Sequence, residues 1–160
     1  MQNKKRIINP FQGMEGFNCF GCSPNNPIGL RLEFVDEGEL VSCTWEAGEQ
    51  FTGYHDVLHG GIQATILDEI ASWTIYVKAG TGGVTSKMVT KYRKPCLITK
   101  GPIRVTAKIK ETSKRIITVD TRLYDHEGIL CSESLVDYFV LPEEQAKEKL
   151  YYPGKDAFYE

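Results

Sequence analysis

Between residues 62 and 73 the chain carries Ile62, Ala64, Ile66, Leu67, Ile70, Ala71 and Trp73, with Asp68 and Glu69 as the only charges. These apolar positions fall on nearly every side of a helix, and such a helix must be covered over most of its surface. Two adjacent carboxylates within it need an explanation, because a buried acid costs free energy unless it is paired, neutral or employed in chemistry. His59-Gly60-Gly61 stand where this helix begins. Backbone N–H groups there lack intrahelical partners and point at whatever lies beyond.

The segments on either side have the texture of strands. Leu30, Leu32 and Phe34 alternate with Arg31, Glu33 and Val35, and a turn at Asp36-Glu37-Gly38-Glu39 leads to Val41, Cys43 and Trp45, as in a hairpin. The helix is expected to run to about Lys78. Beyond it, strands are expected over Val84 to Arg93, Ile103 to Ile109, Ile116 to Tyr124 and Ile129 to Leu141, separated by turn residues. Hairpin connections imply an antiparallel sheet, and one face of that sheet can cover the central helix. The fold class is therefore α+β, with about six strands around one long helix. Residues 1–27, rich in Gly, Pro and Asn, read as an irregular arm, 28–141 as the main domain, and 142–160 as a short solvated helix followed by an aromatic tail.

The 160-residue chain is long enough for one real core. Nineteen basic and twenty-one acidic residues, with no long run of either sign, argue against nucleic acid as the main partner. Met1 to Arg6 is polar and basic, and Asn9-Pro10 interrupts Ile7-Ile8, so neither a signal-peptide core nor a membrane span is read. Five scattered cysteines do not suggest a disulfide framework, and a reducing cytoplasm is the expectation.

At about 100° per residue, Asp68 projects with Gly61, Ala64, Thr65, Ser72 and Ile75, whereas Glu69 points toward Ile62, Thr65 and Trp73. Small neighbours leave room for a ligand, so Asp68 is the better catalytic candidate and Glu69 is expected in a structural bond. From Gly61 to Asp68 the helix rises roughly 10 Å. A base, directly or through one water, and an oxyanion donor must both act within about 3 Å of the reacting group. One helix can hardly supply both to the same carbonyl. If both are used, Gly61 of one chain faces Asp68 of another, and the protein is at least a dimer.

The order of strand pair, HGGIQATILDEIASW, then Val84-Thr85 through Tyr92-Arg93-Lys94-Pro95 resembles the hotdog-fold acyl-CoA thioesterases, in particular the branch similar to the phenylacetate-pathway thioesterase. The resemblance spans about Cys19 to Leu141 and includes CFGCSPNNPIGL before the first strand. It implies that the Gly61 N–H polarises a thioester carbonyl, that Asp68 activates water or attacks directly, and that His59 shapes the turn or contacts the thioester. It also implies substrate contacts from His55, Gly60, Thr85, Arg93 and Lys94, the last two, with Lys91, meeting coenzyme A phosphates. Several relatives place Asn or Gln, to orient water, where Gly53 stands, and His55 or Asp56 is the candidate substitute here. The expected partner is acyl-CoA, and the expected assembly a homodimer or a dimer of dimers. No cofactor beyond the coenzyme A of the substrate, and no metal, is expected.

Two rival functions remain. An acyl-thioester dehydratase or hydratase would need a His and an acid at the acyl carbons, for which His55 with Asp68 is the pair to test. A non-catalytic acyl-CoA-binding module is the other. Cys19-Phe20-Gly21-Cys22 is a C-x-x-C without a second such pair or a His pair at ligand spacing, so closing a metal site would need distant residues or a partner chain. Packing of the arm is its expected role. Gly80-Thr81-Gly82-Gly83 lacks the Lys-Ser/Thr ending of a phosphate loop and reads as a connector.

Overall fold

The computed structural model describes residues 3–160, so Met1 and Gln2 of the arm's polar opening lie outside the described residues. Seven strands form one sheet: β1 (Lys5–Ile7), β2 (Phe34–Asp36), β3 (Val41–Trp45), β4 (Gly83–Tyr92), β5 (Ile103–Ser113), β6 (Ile116–Tyr124) and β7 (Leu130–Val140). Their order across the sheet is β1-β2-β3-β5-β6-β7-β4, with every neighbour antiparallel. Helix α1 (Gly60–Thr74) crosses the concave face against β3, β4, β5, β6 and β7. This is the hotdog arrangement, with the sheet wrapped around its central helix. Helix α2 (Glu143–Leu150) follows the last strand.

The burial of α1 explains its composition. Ile66, Leu67, Ile70 and Ala71 are wholly buried, and the inward residues Val41, Val105, Val119 and Val136 of four strands are buried with them. Fully burying a side chain of this size is worth about 1.5–3 kcal/mol, so these positions hold the helix in place. The regular α-helix ends at Thr74 and continues as one π-helical turn, Ile75–Ala79, to Gly80 at φ 69°. The helical path thus extends one residue past the expected end at Lys78. Gly80 stops it because glycine enters the left-handed region without a Cβ penalty.

Two expectations need correction. The stretch from Leu30 is not a strand until Phe34: Arg31 lies at φ 55°, and the N–H groups of Leu30 and Leu32 donate to Phe20 and Gly21 carbonyls at 2.8 and 2.9 Å. The alternation still buries Leu30, Leu32 and Phe34, but the Leu30 and Leu32 backbone is tied to the Cys19–Cys22 turn of the arm, and strand pairing begins only at Phe34. The arm in turn is not wholly irregular. Its residues Lys5–Ile7 pair with β2, which makes the sheet seven strands and not six.

Both chain ends pack on the helix. Phe158 is fully buried, stacked 5.3 Å from Tyr76 and edge-on 5.6 Å from Trp73, with Phe11 of the arm 5.9 Å away. The Tyr152 hydroxyl donates to the Tyr76 carbonyl at 2.9 Å. The aromatic tail therefore docks on its own chain. Among the described residues no helix is long and apolar enough to cross a membrane.

Asp36 on β2 joins three parts of the molecule. Lys78, from the π-helical turn, and the Tyr159 hydroxyl each donate to its carboxylate at 2.6 Å. Burial works against the charged form, yet hydrogen bonds from Lys78 and Tyr159 outweigh it and hold the Asp36 pKa below the usual carboxylate range. A depressed pKa contributes stability above the unfolded value of about 3.9 that is lost as pH falls through the folded value. Asp36→Asn should therefore destabilise the protein at neutral pH in urea unfolding. Its deficit relative to wild type should shrink steadily as pH is lowered below about 5.

Candidate active site

Asp68 and Glu69 leave α1 in different directions. The Asp68 Oδ1 accepts from the Thr85 hydroxyl on β4 at 2.8 Å and lies 2.9 Å from the Tyr138 hydroxyl on β7. That same hydroxyl is 3.0 Å from the Asp68 main-chain oxygen. Burial first, and then the neighbouring Asp68 carboxylate, push the Tyr138 pKa far above its ordinary value, so Tyr138 stays protonated and donates. Both side-chain bonds end on Oδ1, and among the described residues none reaches Oδ2. One oxygen is thus anchored and the other is available to a proton or a carbonyl carbon.

Glu69 faces the arm. Its Oε1 accepts from the Trp73 indole N–H at 3.2 Å and from the Cys19 thiol at 3.4 Å. Burial pushes its pKa up to about 7. The helical wheel therefore separates the two acids as the sequence implied.

The start of α1 is a second centre. His59 caps the helix: its Nδ1 accepts from the Gly61 N–H at 2.9 Å, which requires that nitrogen to be unprotonated. A Cβ on Gly61 would lie 3.1 Å from the imidazole, so glycine permits this close approach. At Gly53 a Cβ would lie 3.5 Å from the ring of the same histidine, which puts that position against the cap. The Tyr92 hydroxyl donates to the Gly60 carbonyl at 2.7 Å. Strand β4 consequently touches both centres, Asp68 through Thr85 and the glycines through Tyr92.

The other expected residues lie apart from these two groups. Asp56, at φ 62°, accepts the Thr99 N–H at 3.0 Å, and the Thr99 side chain first, with backbone N–H groups after it, holds its pKa below the usual range. With exposed His55 it borders a hollow lined also by Ile98 and Thr99. Arg93 pairs loosely with Glu133 at 3.5 Å, and Lys91 and Lys94 are exposed. Tyr138 was not expected at the site. Its only signal in the sequence is a large hydroxyl-bearing residue among alternating β7 positions, and the strand register is needed to aim it at Asp68. A cavity of about 480 Å³ lies on the Glu69 side of α1, bordered by Phe11, Cys19, Glu69, Ser72, Trp73 and Tyr151.

The Thioesterase superfamily model matches residues 55–132, which run from His55 through α1 and β4 to β7. This match and the hotdog architecture make the chain similar to thioesterase superfamily proteins over its central helix and the strands that follow. A protein of Saccharolobus solfataricus named a candidate esterase, SSO1253, is 26% identical over 126 residues, covering 78% of this chain and 82% of that protein. The crystal structure of RHA08564, a thioesterase superfamily protein, superposes with a TM-score of 0.70 at 20% identity. The match covers 84% of this chain and 66% of that one. Protein BH2602 from Bacillus halodurans, solved with CoA, gives a TM-score of 0.56 at 27% identity, covering 62% of this chain and 70% of its own.

The cap makes a measurable contribution. His59→Ala should lower stability by about 1 kcal/mol, as loss of a side-chain N-cap does. Chemical denaturation would show this as a lower midpoint at unchanged slope.

Proposed function

We propose that the protein hydrolyses an acyl-CoA thioester to the free acid and coenzyme A. The observation that carries this reading is Asp68, held on Oδ1 by Thr85 and Tyr138 with Oδ2 unengaged, on a helix whose other end presents glycine N–H groups. The CoA in BH2602 supports the choice of thiol.

Asp68 acts in one of two ways. As a base it takes a proton from water while the hydroxide oxygen bonds to the thioester carbon. The C–S bond then breaks, and the coenzyme A thiolate receives the proton from Asp68. As a nucleophile, the carboxylate bonds to the carbon and expels the thiolate, and water then cleaves the mixed anhydride. In either route the negative charge that develops on the carbonyl oxygen needs a donor.

That donor is the Gly61 N–H of a second copy, and His59 Nδ1, its partner in the free chain, gives way to the thioester oxygen. The second copy joins at β4. Among the described residues this ten-residue strand is paired on one side only, by β7, and Val84, Val89 and Tyr92 on it are about half exposed. An open strand edge of that length is a template for pairing with another chain. Joining two β4 strands extends the sheet and sets two α1 helices side by side, so that each Asp68 can meet the other chain's glycines. Arg93 and Lys94, which follow β4, supply charge for the phosphates of coenzyme A.

A panel of short, medium, long and aromatic acyl-CoAs with free-thiol detection tests the assignment. Asp68→Asn should lower kcat by at least about 100-fold while the thermal midpoint stays near that of wild type. Undiminished turnover in that variant would sink the assignment. An enoyl-CoA that loses its conjugated absorbance without releasing thiol would instead mark a hydratase.

A further inference from the structure

Cys19, Cys22 and Glu69 lie within 4.8 Å of one another through their thiol sulfurs and a carboxylate oxygen. The two cysteines come from the arm and the acid from α1, some fifty residues away. No lysine, arginine or histidine pairs with Glu69 among the described residues. Two thiols and a carboxyl thus converge with no cationic side chain to meet them.

The surroundings are built for this convergence. The Cys19–Cys22 turn is closed by the Ser23 N–H, which donates to the Cys19 carbonyl at 3.0 Å. It is held from outside by the Leu30 and Leu32 N–H groups on the Phe20 and Gly21 carbonyls. A Cβ on Gly21 would come within 2.6 Å of the Glu69 carboxyl carbon, so a glycine between the cysteines is what lets the acid approach. The Trp73 N–H donates to Glu69 Oε1 and orients the carboxylate from behind.

We propose that Cys19, Cys22 and Glu69 bind one thiophilic divalent cation of the zinc class, with the fourth position open to the adjoining cavity. Zinc accepts thiolate at about 2.3 Å and carboxylate at about 2.0–2.2 Å, so a tetrahedral shell sets its ligand atoms roughly 3.5–3.8 Å apart. Cys19 Sγ already stands 3.4 Å from Glu69 Oε1, and the whole triangle fits within 4.8 Å. The C-x-x-C spacing is one that zinc sites use, and the distant ligand such a pair requires is Glu69. On binding, both thiols lose their protons to solvent and the cation bonds to two thiolates and a carboxylate. The open coordination position faces the 480 Å³ cavity, where water or a donor atom of a ligand can complete the shell.

Reduced, chelator-treated full-length protein titrated with zinc and with cobalt tests this site. One metal should bind per chain, and cobalt should show the thiolate charge-transfer band and the intense visible bands of a tetrahedral site. Zinc should shield two of the five cysteines from a thiol reagent and raise the thermal midpoint with its concentration. Cys19→Ser should abolish stoichiometric binding, and Glu69→Gln should weaken it at least about tenfold, with circular dichroism confirming the fold. Wild-type protein that binds no stoichiometric metal, a cobalt spectrum without the thiolate band, or equal thiol reactivity with and without zinc would overturn the proposal. Binding unchanged in Cys19→Ser would do the same. None of these readouts uses thioester turnover, so the outcome is independent of the proposed hydrolase activity.

Discussion

The enclosure of α1 by the curled sheet is the interaction on which the rest of the molecule depends. The helix buries apolar side chains in nearly every direction, and no isolated helix of fifteen residues with that composition would persist in water. Strands β3, β5, β6 and β7 supply one side of the cover, and the chain ends supply much of the other. Each polar group on α1 is then placed by whichever covering element it meets. Asp68 meets the hydroxyls of β4 and β7, Glu69 meets the arm, and the glycines meet His59 and Tyr92.

Two adjacent acids thereby acquire different environments on one scaffold. Asp68 lies among hydroxyl donors, which hold its carboxylate in one orientation. Glu69 lies among sulfur, indole and aromatic carbon, where an unpaired charge is costly. A step of one residue turns the side chain by roughly 100°, enough to move it from the sheet to the arm.

Much of this was legible in the chain itself. The apolar run of α1, the turn residues between β4, β5, β6 and β7, and the division between Asp68 and Glu69 all follow from local periodicity and steric rules. What could not be read depends on long-range register. Tyr138 reaches Asp68 only because β7 lies between β4 and β6, and Cys19 reaches Glu69 only because Leu30 and Leu32 bind the arm down. Arg31 shows the same limit in reverse. The alternation around it is that of a strand, but tertiary hydrogen bonds from its neighbours hold the backbone in a left-handed turn. His59 was expected at the turn, whereas its hold on the Gly61 N–H depends on a side-chain rotamer that no spacing rule supplies.

The walls of the large cavity have unequal origins. One wall is α1, which also carries Asp68 and the glycines and tolerates little change. The opposite wall consists of arm and tail residues such as Phe11, Phe17, Leu150 and Tyr151, which lie outside the strands from β2 to β7. The room available beside α1 is therefore set on that side by residues outside strands β2 to β7. Changes in the bulk of Phe17, Leu150 or Tyr151 reshape that room without touching Asp68 or the glycines, a division of labour that lets capacity and chemistry vary separately.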